Sequence, residues 1–339
     1  MKAWIIPAGC TAGPSALQLI ERPSPAVGPA QVKLRMHAWS TNFRDLGITL
    51  GRYVGGALPR DTIALSDGAG EVVEVGAGVG RWRPGDRVVA NFFQDWRAGP
   101  IRPQTFGSAL GGAIDGMLAE EVVLGESGLV RIPDHLSFEQ AATLPCAAVT
   151  AWNALFEVGN VRPGKTVLVL GSGGVSVFAL QLAKAAGARV IATTSSDEKL
   201  LRLRELGADV VVNYRTQPDW DQVVLAHTGG LGVDLVVEVG GAGTLPRSFN
   251  AVRVGGTVAL IGVLTGVGAQ IDPSPLLIRS IRLQGVFVGS VAMFEALTAA
   301  LAVSRGEPVI DRRFAFEQAA EAYAWQASGQ HLGKVVIGR

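Results

Sequence analysis

The stretch from residue 166 to residue 199 constrains the fold of this chain more than any other part. It begins with Thr166–Leu170, an apolar and β-branched run without polar alternation, which is typical of a parallel strand covered on both faces. A glycine-rich turn follows and leads into a helix from about Val175 to Ala186, which shows helical spacing of its apolar residues. Val190–Ala192 is then a second apolar run. The stretch therefore predicts a strand–turn–helix–strand unit.

The turn has the sequence Gly171-Ser172-Gly173-Gly174-Val175-Ser176. It resembles the G-x-G-x-x-G pattern, with Ser176 in place of the third glycine. Glycines between a strand and a helix let backbone N–H groups approach a pyrophosphate at the positive end of the helix dipole. The strand before the turn and the helix after it are the context that this pattern requires, so a bound dinucleotide is predicted. The alternative is a glycine-rich turn without a ligand.

The end of the second strand favours NADP(H) over NAD(H). Units that bind NAD carry an Asp or Glu there, whose carboxylate holds the ribose 2′-hydroxyl and would repel a 2′-phosphate. This chain has Thr193-Thr194-Ser195-Ser196 instead, followed by Lys199. Hydroxyls and a lysine accept a phosphate, so NADP(H) is the predicted cofactor. Ser196 and Asp197 also predict a cap for the helix that follows, and the two roles are compatible.

Length and composition exclude several classes of function. At 339 residues the chain suggests two domains, and 48% hydrophobic residues with 17% charged ones describe a core-rich globular protein. The net charge of +1 gives no electrostatic reason to expect nucleic acid or a membrane surface as partner. Two cysteines cannot form a disulfide framework, and together with four histidines they are a poor supply of metal ligands. We predict a soluble cytoplasmic protein, since no signal sequence or membrane span is evident.

The pattern of predicted secondary structure changes along the chain. The first 125 residues contain short β-like runs separated by Pro, Gly and Asp turns, as in a barrel or sandwich. From Val161 onward strands alternate with helices, and six such strands make a complete doubly wound parallel sheet. The last 50 residues are predicted to return to the first domain. The predicted boundaries are therefore 1–125 and 290–339 for a β-rich domain, and 126–289 for an α/β domain that binds NADP.

Motifs spread over the whole chain carry a family resemblance. They are Thr41-Asn42-Phe43-Arg44-Asp45-Leu46, Gly51-Arg52-Tyr53, Asp67-Gly68-Ala69-Gly70, Arg83-Pro84-Gly85-Asp86-Arg87-Val88, Ala142-Thr143-Leu144-Pro145-Cys146, Thr150-Ala151-Trp152, the glycine turn, Leu206-Gly207-Ala208-Asp209 and Gly333-Lys334-Val335-Val336. Together they resemble the medium-chain dehydrogenase/reductase superfamily, and within it the zinc-independent branch similar to quinone oxidoreductases.

The resemblance implies a GroES-like catalytic domain, a Rossmann domain, and a cleft between them for the nicotinamide. It also implies a homodimer through the last Rossmann strand, here Arg282–Val288. The implied cofactor contacts are Gly171, Ser172, Gly173, Gly174 and Val175 at the pyrophosphate, Thr194, Ser195, Lys199 and Tyr214 near the 2′-phosphate, and Gly262, Val263, Leu264, Phe287, Val288 and Gly289 along the nicotinamide half.

The zinc enzymes of this superfamily hold a catalytic metal with Cys, His and Cys and have a Glu nearby. Those positions fall here on Asn42, Ser66 and Cys146, with Asp67 at the Glu. Only Cys146 could act as a thiolate ligand, whereas a catalytic zinc usually needs three protein ligands. No metal is therefore predicted, and Cys146 is either a small buried residue or a redox-sensitive thiol beside the nicotinamide.

Without a Lewis acid, hydride addition to a conjugated system is easier than oxidation of a simple alcohol, because negative charge spreads onto a remote oxygen. Hydrogen-bond donors can stabilise that oxygen. The resemblance assigns three candidates to the catalytic site, namely Tyr53 as a donor in the substrate pocket, Asn42 as a contact of substrate or nicotinamide ribose, and Thr150 beneath the nicotinamide. Each could also be an ordinary structural residue. The aromatic residues between Phe92 and Phe106 could wall an apolar pocket or pack only their own loop.

The leading hypothesis is a zinc-independent reductase that transfers hydride from NADPH to a small apolar substrate, either an α,β-unsaturated carbonyl compound or a quinone. One alternative is an NAD(P)-dependent alcohol dehydrogenase. A second is a non-catalytic protein that binds NADPH in a structural or sensing role.

Overall fold

A computed structural model describes residues 1–268 and 270–339, and these divide into two compact units. The first unit comprises Met1–Val149 and Gly289–Arg339, and the second comprises Thr150–Val288. The sequence placed the first boundary at 125/126. The structure places it later, because a short strand at Leu129–Arg131 joins the sheet of the first unit and the helix Phe138–Ala142 packs on the same sheet.

The described strands, in chain order, are β1 (Lys2–Ile6), β2 (Gln18–Glu21), β3 (Gln31–Ser40), β4 (Thr62–Ile63), β5 (Asp67–Val75), β6 (Arg87–Ala90), β7 (Glu121–Gly125), β8 (Leu129–Arg131), β9 (Thr166–Val169), β10 (Arg189–Thr194), β11 (Val210–Asn213), β12 (Val233–Glu238), β13 (Val252–Leu260), β14 (Arg282–Gly285), β15 (Ile310–Ala315) and β16 (Lys334–Gly338). The α-helices are α1 (Phe43–Thr49), α2 (Phe138–Ala142), α3 (Val149–Trp152), α4 (Gly174–Ala185), α5 (Asp197–Glu205), α6 (Trp220–His227), α7 (Leu245–Ala251), α8 (Ser274–Ile278), α9 (Val291–Ser304) and α10 (Ala319–Ser328).

The first unit is β-rich. It has a three-stranded sheet in the order β2-β1-β4 and a seven-stranded sheet in the order β15-β16-β3-β5-β6-β8, in which β7 also pairs with β3. The alternation of apolar residues in β3 places Val32, Leu34 and Met36 in the core, where they are fully buried. This is the expected GroES-like architecture, and helices α9 and α10 return to it from the far end of the chain.

The second unit is a six-stranded parallel sheet in the order β11-β10-β9-β12-β13-β14. Numbered within this unit, the order is 3-2-1-4-5-6, which is that of a doubly wound Rossmann fold. Strand β9 lies at the centre and its interior residues are buried, as its continuous apolar sequence predicts. The predicted fold class is confirmed for both units.

Some predicted elements have different bounds. The last strand of the Rossmann sheet was predicted over Arg282–Val288, but β14 ends at Gly285. Val288 has a left-handed backbone conformation, with φ of 55°, which is incompatible with continuing the strand. The described residues include no helix with the length and apolar character needed to cross a bilayer.

Candidate active site

Strand register in the first unit brings three distant segments together. Strands β16 and β3 are antiparallel, with Val336 paired to Ser40, so the same register continued by two residues sets Lys334 opposite Asn42. On the other side of β3, Ser40 pairs with Asp67 of β5. Hydrogen bonding between strands therefore dictates that Asn42, Asp67 and Lys334 lie close to one another.

The ammonium group of Lys334 is the centre of this cluster. Its Nζ donates hydrogen bonds to the backbone oxygen of Thr41 at 2.6 Å and to Oδ1 of Asn42 at 2.5 Å. The nearest oxygen of Asp67 is 4.0 Å away. Lys334 is only 3% exposed and Asp67 is fully buried, so the ion pair is shielded from water.

The Asp67 carboxylate is further held by neighbours. Ser66 Oγ donates to its Oδ1 at 2.7 Å, and the backbone N–H of Cys146 donates to its Oδ2 at 3.3 Å. Burial raises the pKa of Asp67, and the positive charge of Lys334 opposes that rise. Burial lowers the pKa of Lys334, and Asp67 opposes that fall. The two charges thus stabilise each other within the cluster.

Cys146 is a partly exposed residue whose thiol is in an environment that disfavours ionisation. Burial first, and the nearby Asp67 charge second, raise its pKa above the ordinary range for cysteine. The thiolate is the nucleophilic and metal-binding form of cysteine, and this environment disfavours it. The raised pKa therefore argues against a reactive thiolate, although Cys146 is not a fully buried residue.

Helix α1 carries an ion pair next to the same cluster. Asp45 Oδ2 accepts the backbone N–H of Asn42 at 2.8 Å, and its Oδ1 accepts from Arg44 at 3.1 Å. Arg44 also donates to the backbone oxygen of Leu110 at 3.0 Å. Burial raises the pKa of Asp45 to about 6, with the positive charge of Arg44 opposing the rise. Asp45 therefore caps the helix and pairs with Arg44.

Arg44 connects this ion pair to Tyr53. Its guanidinium lies 5.1 Å from the ring centre of Tyr53 and 4.7 Å from that of Phe92, within the range of cation–π attraction. Burial raises the pKa of the Tyr53 phenol, with Arg44 opposing the rise. The phenol is thus protonated at neutral pH and is available as a hydrogen-bond donor.

The aromatic residues from Phe92 to Phe106 contact one another. Phe93 makes edge contacts with Phe92, Trp96 and Phe106 at ring-centre distances of 4.7, 5.9 and 5.9 Å. Phe92 and Phe93 are fully buried, whereas Phe106 is exposed. The loop therefore has its own aromatic core.

In the second unit, the glycine turn joins β9 to α4. Gly171 has φ of 77°, a conformation that a glycine adopts without strain. Gly173 is the N-cap of α4 without a side-chain cap, and a Cβ placed on it would meet no described atom within 4 Å. Ser176 Oγ donates to the backbone oxygen of Leu170 at 2.7 Å, so serine fits the third glycine position by bonding back to the strand.

The space at Gly173 and the uncapped N-terminus of a 12-residue helix fit a pyrophosphate. Five predicted contacts, Gly171 to Val175, form this turn. The other predicted contacts in this unit follow the carboxyl ends of neighbouring parallel strands, where doubly wound sheets bind ligands. They comprise Thr194 and Ser195 after β10, Tyr214 after β11, Gly262, Val263 and Leu264 after β13, and Phe287 and Val288 after β14.

The side chains at the end of β10 have different environments. Thr194 is buried, and its hydroxyl lies 3.4 Å from that of Ser172. Ser196 caps α5 by accepting the backbone N–H of Lys199, as the sequence predicted. Ser195 and Lys199 are partly exposed. Asp197, the first carboxylate after the strand, accepts a hydrogen bond from Asn213 at 2.7 Å.

The predicted catalytic residues divide between the units. Asn42 and Tyr53 belong to the first, whereas Thr150 is a buried residue of the second. Gly289, predicted along the nicotinamide half, is the first residue of the C-terminal segment of the first unit. Val288 is held in its left-handed conformation by Asn153, whose Nδ2 donates to the Val288 oxygen at 2.7 Å.

Comparisons with known proteins cover nearly the whole chain. The sequence model of the alcohol dehydrogenase GroES-like domain matches residues 28–134, and that of the zinc-binding dehydrogenases matches residues 174–303. A zinc-type alcohol dehydrogenase-like protein of Schizosaccharomyces pombe is 44% identical over 319 residues, covering 92% of this chain and 91% of that protein.

This chain belongs to the medium-chain dehydrogenase/reductase superfamily. It is accordingly an oxidoreductase with a domain for a pyridine nucleotide. Relatives within the superfamily carry different names. A quinone oxidoreductase of Pseudomonas aeruginosa is 30% identical and covers 96% of each chain. A 2-methylene-furan-3-one reductase of Solanum lycopersicum is 31% identical, covering 92% of this chain and 73% of that protein.

Solved structures of the superfamily have the same fold. A protein of Sinorhizobium meliloti 1021, named as an alcohol dehydrogenase, has a TM-score of 0.90 and 41% identity, with full coverage of both chains. An NAD-dependent alcohol dehydrogenase has the same TM-score and 35% identity, again with full coverage of both. A crotonyl-CoA carboxylase/reductase solved with NADP has a TM-score of 0.87 and 26% identity, covering all of this chain and 94% of that one. Both nicotinamide cofactors therefore occur among the neighbours.

The zinc of the superfamily does not fit the residues of this chain. Within residues 1–268 and 270–339, no three His, Cys, Asp or Glu side chains are grouped so that they could hold a metal ion. Of the residues that the resemblance assigns to the zinc positions, Asn42 accepts a hydrogen bond from a cation of the chain itself, Lys334, which also pairs with Asp67 at the neighbouring Glu position. A divalent ion at this position would be repelled by the ammonium group.

Lys334 was not among the residues that the sequence nominated for the site. The signal was nevertheless present, since Gly333-Lys334-Val335-Val336 places a lysine inside an apolar strand pattern. Lysine is almost never buried unless it is paired. A lysine in a buried strand therefore indicates an acidic partner, although not which one.

Proposed function

We propose that this protein is a zinc-independent reductase that transfers hydride from NADPH to an α,β-unsaturated carbonyl compound or a quinone. The observation that carries the proposal is the buried ammonium of Lys334, which bonds to Asn42, a position that the resemblance aligns with a zinc ligand, and pairs with the neighbouring Asp67. The relatives named as quinone oxidoreductase and furanone reductase support this class of substrate.

The second unit supplies the proposed cofactor site. When bound, NADPH would supply the hydride. The turn Gly171–Val175 would hold its pyrophosphate through backbone N–H groups and the N-terminus of α4. Ser195 and Lys199 would hold the 2′-phosphate, because a hydroxyl and an ammonium group both donate hydrogen bonds to phosphate oxygens. Thr194 would contribute less directly, since its side chain is buried against Ser172.

The first unit supplies donors for the substrate oxygen. Hydride addition to a conjugated carbonyl shifts negative charge onto that oxygen, so donors aimed at it lower the barrier. Tyr53 has a protonated phenol, and the amide nitrogen of Asn42 is a second donor. Both residues would bind and orient the substrate, and Tyr53 could hold a proton for it.

A substrate panel with a metal determination tests the proposal. Purified protein is expected to oxidise NADPH in the presence of at least one enone, enal, unsaturated acyl thioester or quinone, and to do so unchanged after dialysis against a chelator. Stoichiometric zinc in the active protein would favour the alcohol dehydrogenase alternative. Tight NADPH binding without turnover of any substrate in the panel would favour the non-catalytic alternative.

The preference for NADPH depends on Lys199. Replacing Lys199 by alanine is expected to weaken NADPH binding about tenfold, because one charge-assisted hydrogen bond is lost. NADH binding should not change, since NADH has no 2′-phosphate. Isothermal titration with each cofactor measures both dissociation constants. Lys184→Ala is the matched control. Lys184 lies in the last turn of α4, at the opposite end from the proposed pyrophosphate site, and pairs with Asp209. An equal loss for NADH and NADPH in Lys199→Ala would contradict the assignment.

We also propose a homodimer through the edge of the Rossmann sheet. Strand β14 pairs with β13 on one side only among the described strands, and all four of its residues are exposed. Helix α8, which precedes it, exposes Leu277 and Ile278 at 83% and 78%. An open strand edge beside exposed apolar residues is suited to pairing with a second copy.

The dimer is expected to have twice the chain mass of 35.3 kDa in light scattering after gel filtration. Ile278→Lys should shift the protein toward the monomer, because an ammonium group would be buried at the contact. Leu231→Lys is the control, since Leu231 is equally exposed but lies in a loop after α6. A monomeric wild-type protein at micromolar concentration would refute this interface.

A further inference from the structure

Asn42 stands at the start of α1 but does not use its side chain to cap that helix. An N-cap asparagine ordinarily accepts a backbone N–H of the first turn with its side-chain oxygen. Here the helix start is instead tied by Asp45, whose Oδ2 accepts the Asn42 backbone N–H at 2.8 Å. The Asn42 side-chain oxygen is bound by Lys334 at 2.5 Å. The side-chain oxygen of Asn42 therefore binds Lys334 and does not cap the helix.

The ammonium of Lys334 fixes which way this amide faces. An asparagine amide has an acceptor end and a donor end, and an ammonium group can only donate. The oxygen must therefore face Lys334, and the nitrogen must face away from it. Lys334 itself donates two hydrogen bonds, to Thr41 and Asn42, and its charge lies 4.0 Å from the Asp67 carboxylate.

The donor end of Asn42 is buried and has a hydrogen available. Asn42 is 8% exposed, and its Nδ2 makes no hydrogen bond to any group in residues 1–268 or 270–339. A longer hydrogen-bond contact from the Asn42 side chain does reach Asp67 and lowers the pKa of that carboxyl group. An amide nitrogen carries two hydrogens, however, so at least one remains directed elsewhere. A buried donor without an acceptor costs free energy, which a ligand oxygen would recover.

We propose that Lys334 is a positioning residue for catalysis, which locks the Asn42 amide so that its Nδ2 donates to the substrate oxygen that gains negative charge during hydride transfer. This proposal rests on the proposed reductase function. The further inference goes beyond that function because it states which residue, Lys334 in the last strand, orients the Asn42 donor. Lys334 does not touch the substrate, and its own protons are not transferred.

Two substitutions of Lys334 isolate the positioning role. Lys334→Met and Lys334→Gln both remove the charge and both leave Asp67 without its cation, so they are matched in charge and in side-chain length. They differ in one respect, since glutamine keeps an N–H that can donate to the Asn42 oxygen. We expect Lys334→Met to lower kcat about 100-fold, as loss of one aligned donor does. The kcat of Lys334→Gln should be about tenfold higher than that of Lys334→Met. KM and the dissociation constant of NADPH should change little.

Asn42→Asp tests the donor itself. Aspartate keeps an oxygen for Lys334 but has no N–H, so kcat should fall at least as far as in Lys334→Met. Lys2→Met is the control for lysine removal, because Lys2 forms only an exposed pair with Glu317. If the Lys334 variants fold poorly, the same pair is compared in an Asp67→Asn background, which removes the uncompensated carboxylate.

The outcomes separate this proposal from the proposed function. Equal kcat in Lys334→Met and Lys334→Gln would show a merely structural lysine. Weaker NADPH binding with unchanged kcat in Asn42→Asp would place Asn42 on the cofactor instead, and either result overturns the inference. If the wild type reduces no substrate, the proposed function fails. The orientation is then read from the Asn42 side-chain amide signals by NMR, which should shift in Lys334→Met and return in Lys334→Gln; unchanged signals would refute it.

Discussion

Replacing Gly173 by aspartate is expected to abolish NADPH binding and leave the fold intact. A Cβ at this position would meet no described atom within 4 Å, so the backbone tolerates a side chain there. The room is at the N-terminus of α4, where the pyrophosphate would lie. A carboxylate there would occupy the phosphate position and repel it, and we expect binding to weaken by about 100-fold or more, equivalent to about 3 kcal/mol.

Gly125→Asp is the matched control for this experiment. Gly125 also has an ordinary backbone conformation, and a Cβ placed on it would likewise meet no described atom within 4 Å, but it lies at the end of β7 in the first unit. The control variant should bind NADPH as the wild type does. Fluorescence titration of NADPH measures the binding, and circular dichroism checks the fold. Undiminished binding in Gly173→Asp would contradict the pyrophosphate assignment.

Replacing Arg44 by methionine is expected to lower the free energy of unfolding of the first unit by about 3–5 kcal/mol, as loss of one partner from a buried ion pair does. The Arg44 side chain is 6% exposed and that of Asp45 is 1% exposed. Removing the guanidinium leaves the carboxylate buried, where it still accepts the backbone N–H of Asn42. It also removes the contact with Leu110 and the stacking on Phe92.

The loss should depend on pH in a definite direction. The pKa of Asp45 is already raised by burial to about 6, against an ordinary value of 3.8, and without Arg44 it would rise further. A carboxyl group whose pKa is raised on folding costs stability wherever the unfolded state would be ionised. The cost is absent below the unfolded pKa, grows as pH rises from the unfolded pKa to the folded pKa, and is constant above it, so a higher folded pKa increases the cost at pH 8 but not at pH 5. The variant should therefore be closer to wild type at pH 5 than at pH 8.

Urea unfolding at both pH values measures this effect. Arg313→Met is the matched control, because Arg313 forms an exposed pair with Glu139 that should contribute at most about 1 kcal/mol. The double variant Arg44→Met/Asp45→Asn should regain most of the lost stability, since no buried charge is left unpaired. A deficit of the same size at pH 5 and pH 8 would show that lost packing, not the unpaired charge of Asp45, dominates.

The parts of the fold that depend on local sequence were predictable. The run Thr166–Leu170, the glycine turn and the helix that follows each have a local signature, and the order of the Rossmann strands follows from connection rules. Short strands such as Thr62–Ile63 have too few residues for a pattern. The end of β14 at Gly285 depends on the backbone of Val288, which its sequence does not reveal.

The candidate site was predictable only in part, because its residues meet through strand register. The sequence nominated Asn42 through a motif and argued against a metal through the ligand count at Asn42, Ser66 and Cys146. It could not show that the ammonium group of Lys334 lies beside Asn42 and Asp67, since that depends on β16 pairing with β3 in one particular register. The local sequence indicates that Lys334 is buried, but it does not identify the strand with which β16 pairs.

The pairing of Lys334 with Asn42 also sets an order of events during synthesis. The two residues are separated by 292 positions, and the entire second unit lies between them in the chain. At synthesis rates of about 5–20 residues per second, roughly 15–60 s pass between the emergence of the amide and that of its ammonium partner. During that interval the first unit has an unpaired acid at Asp67 and an open sheet edge on β3.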